Sequence, residues 1–276
     1  MLRAALRASP ALATAAAAAR CEKKKDWWLV FSDDFDYTGL PDKRKWSFQT
    51  NCNNWVHDRR HNERQWYTDA RLENARVGGG TLKITARRED WAGGEVTSAR
   101  IRTRHKLGGD FRPPCRVEVR AKLPPAKRGL WPAIWCMSSE SRHGHWPRSG
   151  EIDVMESVGF EAGVVHSVVH TEAYNWRTCR AKDRKGSVIL HDAHDAFHVY
   201  WAEWDDAGLA IGVDDAEPHF RYANEHAGPA QWPFDEPFYV MLNLAVGGNW
   251  GGKHGVADDA LEDAVFEVAH VRVYRR

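Results

Sequence analysis

The sequence predicts an all-β fold, an antiparallel β-sandwich, on three observations. Short stretches of alternating apolar and polar residues recur along the chain, Gly and Pro clusters punctuate them, and no segment sustains the 3.6-residue period of a long helix. Many short strands at regular spacing suit two packed antiparallel sheets. The first strand is expected at residues 29–35. Gly78-Gly79-Gly80 forms a turn into residues 81–86, where Leu82, Ile84 and Ala86 alternate with polar neighbours. Residues 116–123 alternate again and stop at Pro124-Pro125, which cannot continue a hydrogen-bonded ladder. Later strands are expected at 164–170, 197–204, 209–213, 238–245 and 265–274.

The chain has 276 residues, and such sandwiches reach about 200–250 residues as one unit, so residues 26–276 are read as a single domain. No internal repeat or linker divides it. The net charge of +1 gives no field for a polyanion, and the short Lys23-Lys24-Lys25 and Lys43-Arg44-Lys45 runs read as solvated turns, so neither nucleic acid nor membrane is an expected partner. No stretch is long and apolar enough to span a bilayer. Residues 1–20 begin Met1-Leu2-Arg3 and continue Ala-rich, which fits a secretory signal; Arg7 interrupts the segment and keeps an organellar transit peptide as the rival. The five cysteines, Cys21, Cys52, Cys115, Cys136 and Cys179, lack metal-ligand spacing, and disulfides and buried thiols both stay open.

Chemistry concentrates in Glu151-Ile152-Asp153-Val154-Met155-Glu156. Ile152, Val154 and Met155 favour a strand, but strict alternation puts positions 151, 153 and 155 on one face and leaves Glu156 on the other. A β-bulge between Asp153 and Glu156 returns all three acids to one side. Like charges so crowded are costly unless used. Retaining glycoside hydrolysis uses two carboxyl groups about 5–5.5 Å apart, one as nucleophile and one as general acid. In that reading Glu151 attacks, Glu156 supplies and recovers the proton, and Asp153 holds the nucleophile and the local charge that keeps Glu156 protonated. A charged edge strand or a metal-binding carboxylate cluster is the bland alternative.

The flanks decide between them. Gly129-Leu130-Trp131-Pro132-Ala133-Ile134-Trp135 and Trp146-Pro147-Arg148-Ser149-Gly150 precede the acids; His170-Thr171-Glu172-Ala173-Tyr174-Asn175 and Asn243-Leu244-Ala245-Val246-Gly247-Gly248-Asn249-Trp250 follow. With the Glu-x-Asp-x-x-Glu core, these segments resemble the family 16 glycoside hydrolases from about Asp26 onward, and the six-residue bulged form is similar to the laminarinase branch. The resemblance implies a β-jelly roll with substrate across a concave sheet, and a retaining endo-β-1,3-glucanase. It also implies β-glucan as the partner; a monomer is expected, and the leader points to secretion with organellar targeting as the alternative. Its rivals are another β-glycan specificity, mixed-linkage glucan or a galactan, and a glucan-binding recognition protein that has lost catalysis. Intact Glu151, Asp153 and Glu156 speak against the last.

The 14 tryptophans suit a carbohydrate cleft, because an indole face accepts the apolar face of a sugar. By the resemblance Trp131 and Trp135 line the cleft, with a core position as the alternative for Trp135, and Trp146 is the sugar platform nearest the cleavage point. His170 is expected to hydrogen-bond the acids or a sugar hydroxyl. Asn62 and Glu63, in an Asn-Glu-x-Gln-x-Tyr segment, are expected to reach sugars on the non-reducing side. Arg100 is expected to point at hydroxyls, with a surface ion pair as the alternative, and Asn243 and Trp250 to stand at the cleft rim. Many relatives hold a structural calcium with an acid near the first strand and an Asp in the last. Here Ala269 takes the place of that Asp, and Asp34 alone cannot supply six to eight oxygens. Calcium is therefore disfavoured, and no cofactor is expected.

Overall fold

The computed structural model describes residues 26–56, 58–178 and 184–276; the leader at residues 1–20, Cys21 and Cys179 lie outside the described residues. Alternation locates the strands to within a few residues. Those at 29–35, 81–86, 116–123, 197–204, 209–213, 238–245 and 265–274 form as Trp28–Asp33, Thr81–Thr85, Cys115–Lys122, His198–Trp204, Gly208–Val213, Phe238–Val246 and Val265–Arg275. Val164–His170 forms with the expected bounds.

Two eight-stranded antiparallel sheets pack face to face. In one, Val265–Arg275 lies between Cys115–Lys122 and Thr81–Thr85 and also pairs with Trp28–Asp33. In the other, the central run is Val164–His170, Glu151–Glu156, Leu130–Ser138, Phe238–Val246 and Arg100–Arg102. Alternate residues from both sheets meet in one core: Val117, Val119, Val271 and Val273 from the first face Ile134, Cys136, Ile152 and Leu242 from the second. Cys52, Cys115 and Cys136 are buried free thiols.

Two features depart from the sequence reading. A third, three-stranded sheet pairs Gln65–Tyr67 with Gly94–Ser98 in parallel, so the fold is not wholly antiparallel. Leu130–Ser138 is a central strand although it contains Pro132. Pro132 carbonyl accepts from Ser157 N–H (3.4 Å), just beyond the last pair of the neighbouring ladder, Ala133 with Glu156. The N and C=O of one strand residue point to the same side, so the missing Pro132 donor faces the end of that ladder rather than the pairing with Phe238–Val246.

The acid-bearing strand is launched by Gly150, whose φ of +78° an L side chain rarely adopts. A Cβ there would lie 2.8 Å from both the Phe234 ring and Pro233. Gly150→Ala is therefore expected to destabilise the fold by about 1–3 kcal/mol, from backbone strain and overpacking together. Urea unfolding measures it, and an unchanged midpoint would show that the turn adapts freely.

Candidate active site

Glu151–Glu156 carries a β-bulge. Ile152 and Asp153 pair with Val169 and Val168, but Glu156 pairs with His166, so Val154 and Met155 together face Ser167. On the other side Asp153 pairs with Trp135 and Met155 with Ile134, which leaves Val154 as the extra residue. The bulge lets adjacent Val154 and Met155 both enter the core beside Ile152. Glu151, Asp153 and Glu156 are thereby all turned to the outer face of the sheet, the cleft face.

An indole holds each outer acid. Trp146 Nε1 donates to Glu151 Oε2 at 2.7 Å, and Trp131 Nε1 donates to Glu156 Oε1 at 3.0 Å. His170, the cross-strand partner of Glu151, brings Nε2 to 3.5 Å from Asp153 Oδ2, and its ring lies 6.1 Å from that of Trp146. The structure thus gathers Glu151, Asp153, Glu156, Trp131, Trp146 and His170 into one cluster.

Burial divides the acids electrostatically. Glu156 is pushed up to about 8, first by burial and then by the negative charge of Glu151, with the Trp131 N–H opposing. Asp153 is raised well above the carboxylate range, again by burial first, then by the charges of Glu151 and Glu156 and by its hydrogen bond with Glu151. Burial and the two neighbouring acids thus favour the protonated form of Asp153. Burial and the charge of Glu151 together favour the protonated form of Glu156. His170 is held below its ordinary value by burial, with Glu151 opposing, and stays neutral.

Beyond the acids the floor is aromatic. Arg100 is buried, with its guanidinium 4.4 Å from the Trp135 ring, 5.0 Å from Trp55 and 5.6 Å from Tyr67. No carboxylate among the described residues reaches ion-pair distance of Arg100, which removes the surface-pair alternative. Trp135 lies on the cleft face, buried under that guanidinium and clustered with Ala133, Tyr239 and Met241, so it supports the floor rather than offering an open platform. Asn243 is not at the rim. Its Oδ1 accepts from Trp135 Nε1 (2.8 Å) and its Nδ2 donates to Tyr67 OH (3.2 Å), which fixes it within the floor.

Trp250 stands at the edge of this floor, edge-on to Trp131 at 5.5 Å and to His166 at 5.1 Å. Gly248 makes that contact possible, since a Cβ there would lie 2.8 Å from the Trp131 ring. Asn62, exposed and at φ +58°, accepts from Gly248 N–H through its carbonyl. Glu63 is buried beside it and accepts from Gln65, whose Oε1 in turn accepts from Val246 N–H at 2.7 Å. Burial raises the Glu63 carboxyl, against the opposing pull of Arg100.

The residues present do not fit the structural calcium. Asp34 is paired with Arg272 (Nη2 to Oδ1, 2.9 Å), a cation where another would have to bind, and Ala269 supplies no side-chain oxygen. Glu151, Asp153 and His170 bring ligand atoms within 4.8 Å of one another, but burial and the neighbouring acids favour a protonated Asp153, and a metal ligand must be deprotonated.

Sequence reasoning misses Tyr67, Tyr239, Met241, His166 and Trp176 around the cleft. Alternation from Asn243 back along Phe238–Val246 signals Tyr239 and Met241, and alternation from His170 signals His166. Trp176 sits in a loop turn, where no period exists to signal it.

The model of the glycosyl hydrolases family 16 matches residues 62–261. Over 263 residues the chain is 46% identical to a beta-glucanase of Rhodothermus marinus, spanning 93% of this chain and 88% of the relative. It is 35% identical over 266 residues to a glucan endo-1,3-beta-glucosidase of Cryptopygus antarcticus, spanning 89% of this chain and 91% of the relative. The solved laminarinase from Rhodothermus marinus matches with a TM-score of 0.84 at 46% identity, covering 90% of this chain and 97% of that one.

The electrostatics are open to direct measurement. In infrared difference spectra a carboxyl band absent from Glu156→Gln should titrate at about 8. Trp131→Phe removes a donor that favours the ionised form, so the band should move to still higher pH. Titration near the ordinary 4.5 would contradict the burial of Glu156.

Proposed function

The chain belongs to family 16 of the glycosyl hydrolases, and from that premise we propose that it is a retaining endo-β-1,3-glucanase acting by double displacement. The observation that carries this reading is the bulged strand, which presents two glutamates on one face, with Glu156 pushed up to about 8 by burial. Glu151, aligned by Trp146, attacks the anomeric carbon as a carboxylate and forms a glycosyl-enzyme ester while Glu156 protonates the departing glycosidic oxygen. Glu156, now a carboxylate, takes a proton from water as that water opens the ester. Asp153 donates its hydrogen bond to Glu151 throughout, and His170 orders Asp153.

The names of the relatives, a beta-glucanase and a glucan endo-1,3-beta-glucosidase, support β-glucan as substrate and the β-1,3 linkage in particular. Arg100, Glu63 and Asn62 lie along the floor on one side of the acids, where hydrogen-bonding groups meet sugar hydroxyls; Trp131, Trp146 and Trp250 offer partly open rings. The reading includes a monomer that works without a metal and is secreted, since a polysaccharide substrate does not cross a membrane. Purified β-1,3-glucan, mixed-linkage glucan and a galactan, assayed for new reducing ends, test the linkage. Preference for either of the latter two would overturn it.

Because Glu156 must be protonated for the first step, kcat/KM should fall as pH rises through about 8, and Trp131→Phe should carry that limb to higher pH. A limb unmoved by Trp131→Phe would assign it to another group.

Glu156→Ala should cost about 10²–10⁴-fold on glucan and far less on an aryl β-glycoside, whose leaving group needs little protonation. Azide should then release a β-glycosyl azide from the Glu156→Ala intermediate, whereas azide replacing the nucleophile in Glu151→Ala should give the α product. Proton NMR of the products distinguishes them, and swapped anomers would reverse the two roles.

A further inference from the structure

Trp176 is 48% exposed and has no part in the chemistry above. It lies on the turn Trp176–Thr178, with its ring 5.8 Å from that of Trp146 and inclined to it by 35°. Trp146 is tied to Glu151 by its indole N–H, so the position of Trp176 is fixed relative to the reacting carboxylate. The turn beneath it is braced by buried Asn175, whose Nδ2 donates to the Thr171 and Glu172 carbonyls and whose Oδ1 accepts from the Arg177 and Thr178 amides.

Arg177 joins the two rings. Its guanidinium carbon is 4.8 Å from the Trp146 ring and 5.3 Å from the Trp176 ring, and no carboxylate among the described residues lies at ion-pair distance. Trp91 makes the contrast. It is also exposed and also carries an arginine, Arg71 at 4.5 Å, but Arg71 is bound through both Nη1 and Nη2 to Glu89. Among the described residues no carboxylate takes the donors of Arg177, and they sit beside a half-exposed indole next to Trp146.

We propose that Trp176 and Arg177 form a further glycosyl-binding subsite at the Glu151 end of the cleft, taking a pyranose ring of the substrate chain beyond the one at Trp146. An indole face meets the apolar C–H face of a sugar, and a planar guanidinium offers several N–H donors to its hydroxyls. A fixed turn holds both groups in place before substrate arrives, which limits the ordering cost of binding. The subsite rests on the glucanase reading and adds chain-length dependence to it.

The test is kcat/KM across β-1,3-gluco-oligosaccharides of increasing length for the wild type, Trp176→Ala, Trp176→Phe and Trp91→Ala. Trp176→Ala should lower kcat/KM for the longest chains roughly tenfold, mainly through KM, and the loss should shrink as the chain shortens. Trp176→Phe should recover part of it, and Trp91→Ala should follow the wild type. A loss equal at every length, or no loss at any, would overturn the subsite. A wild type inactive on the whole β-1,3 series would instead overturn the linkage, and the same series built from the glycan that is cleaved then decides the subsite.

Discussion

One extra residue in one strand organises the cleft. Without Val154 as a bulge, either Glu156 would turn into the core or Met155 would turn out among the acids. The core enforces the choice: Ile152, Val154 and Met155 are each buried in the interface between the sheets, and all three stay there only if the ladder slips by one between Asp153 and Glu156. Hydrophobic packing on one face thus sets the spacing of carboxyl groups on the other. The energy that holds two acids close together comes from the packing of their apolar neighbours.

The same strand separates the properties of chemically similar groups. Glu151 and Glu156 each accept one indole N–H, and burial pushes Glu156 far above its ordinary value. Asp153 is raised well above the carboxylate range by burial and by the charges of both glutamates. The supports come from distant parts of the chain. Asn243, which steadies Trp135, is itself steadied by Tyr67, and Val246 is bound by Gln65. The reacting groups are local in sequence while the scaffold that fixes them is not.

That difference explains what the sequence made legible. Alternation located most strands, and the misfit between alternation and the acid spacing located the bulge, because both are local consequences of a two-residue period. Trp131, Trp146 and His170 were found through neighbouring segments and do meet the acids. The state of Trp135, Arg100 and Asn243 was not legible: whether a tryptophan is an open platform or a covered floor depends on which arginine crosses it from another strand. The central position of Leu130–Ser138 was hidden by Pro132, whose tolerance depends on where a neighbouring ladder ends. The upward shift of Asp153 follows from its burial, which the residue type does not show.

The position of Val265–Arg275 has a consequence for biogenesis. This strand lies between Cys115–Lys122 and Thr81–Thr85 and also receives Trp28–Asp33, all of which the ribosome makes first. Until it emerges, those three strands keep open edges, with unpaired amides and carbonyls able to template pairing with other chains. Slow, non-local sheet closure of this kind leaves a nascent polypeptide exposed to aggregation. Yield in a heterologous host should therefore respond to translation speed and chaperone supply more than to the stability of the finished molecule.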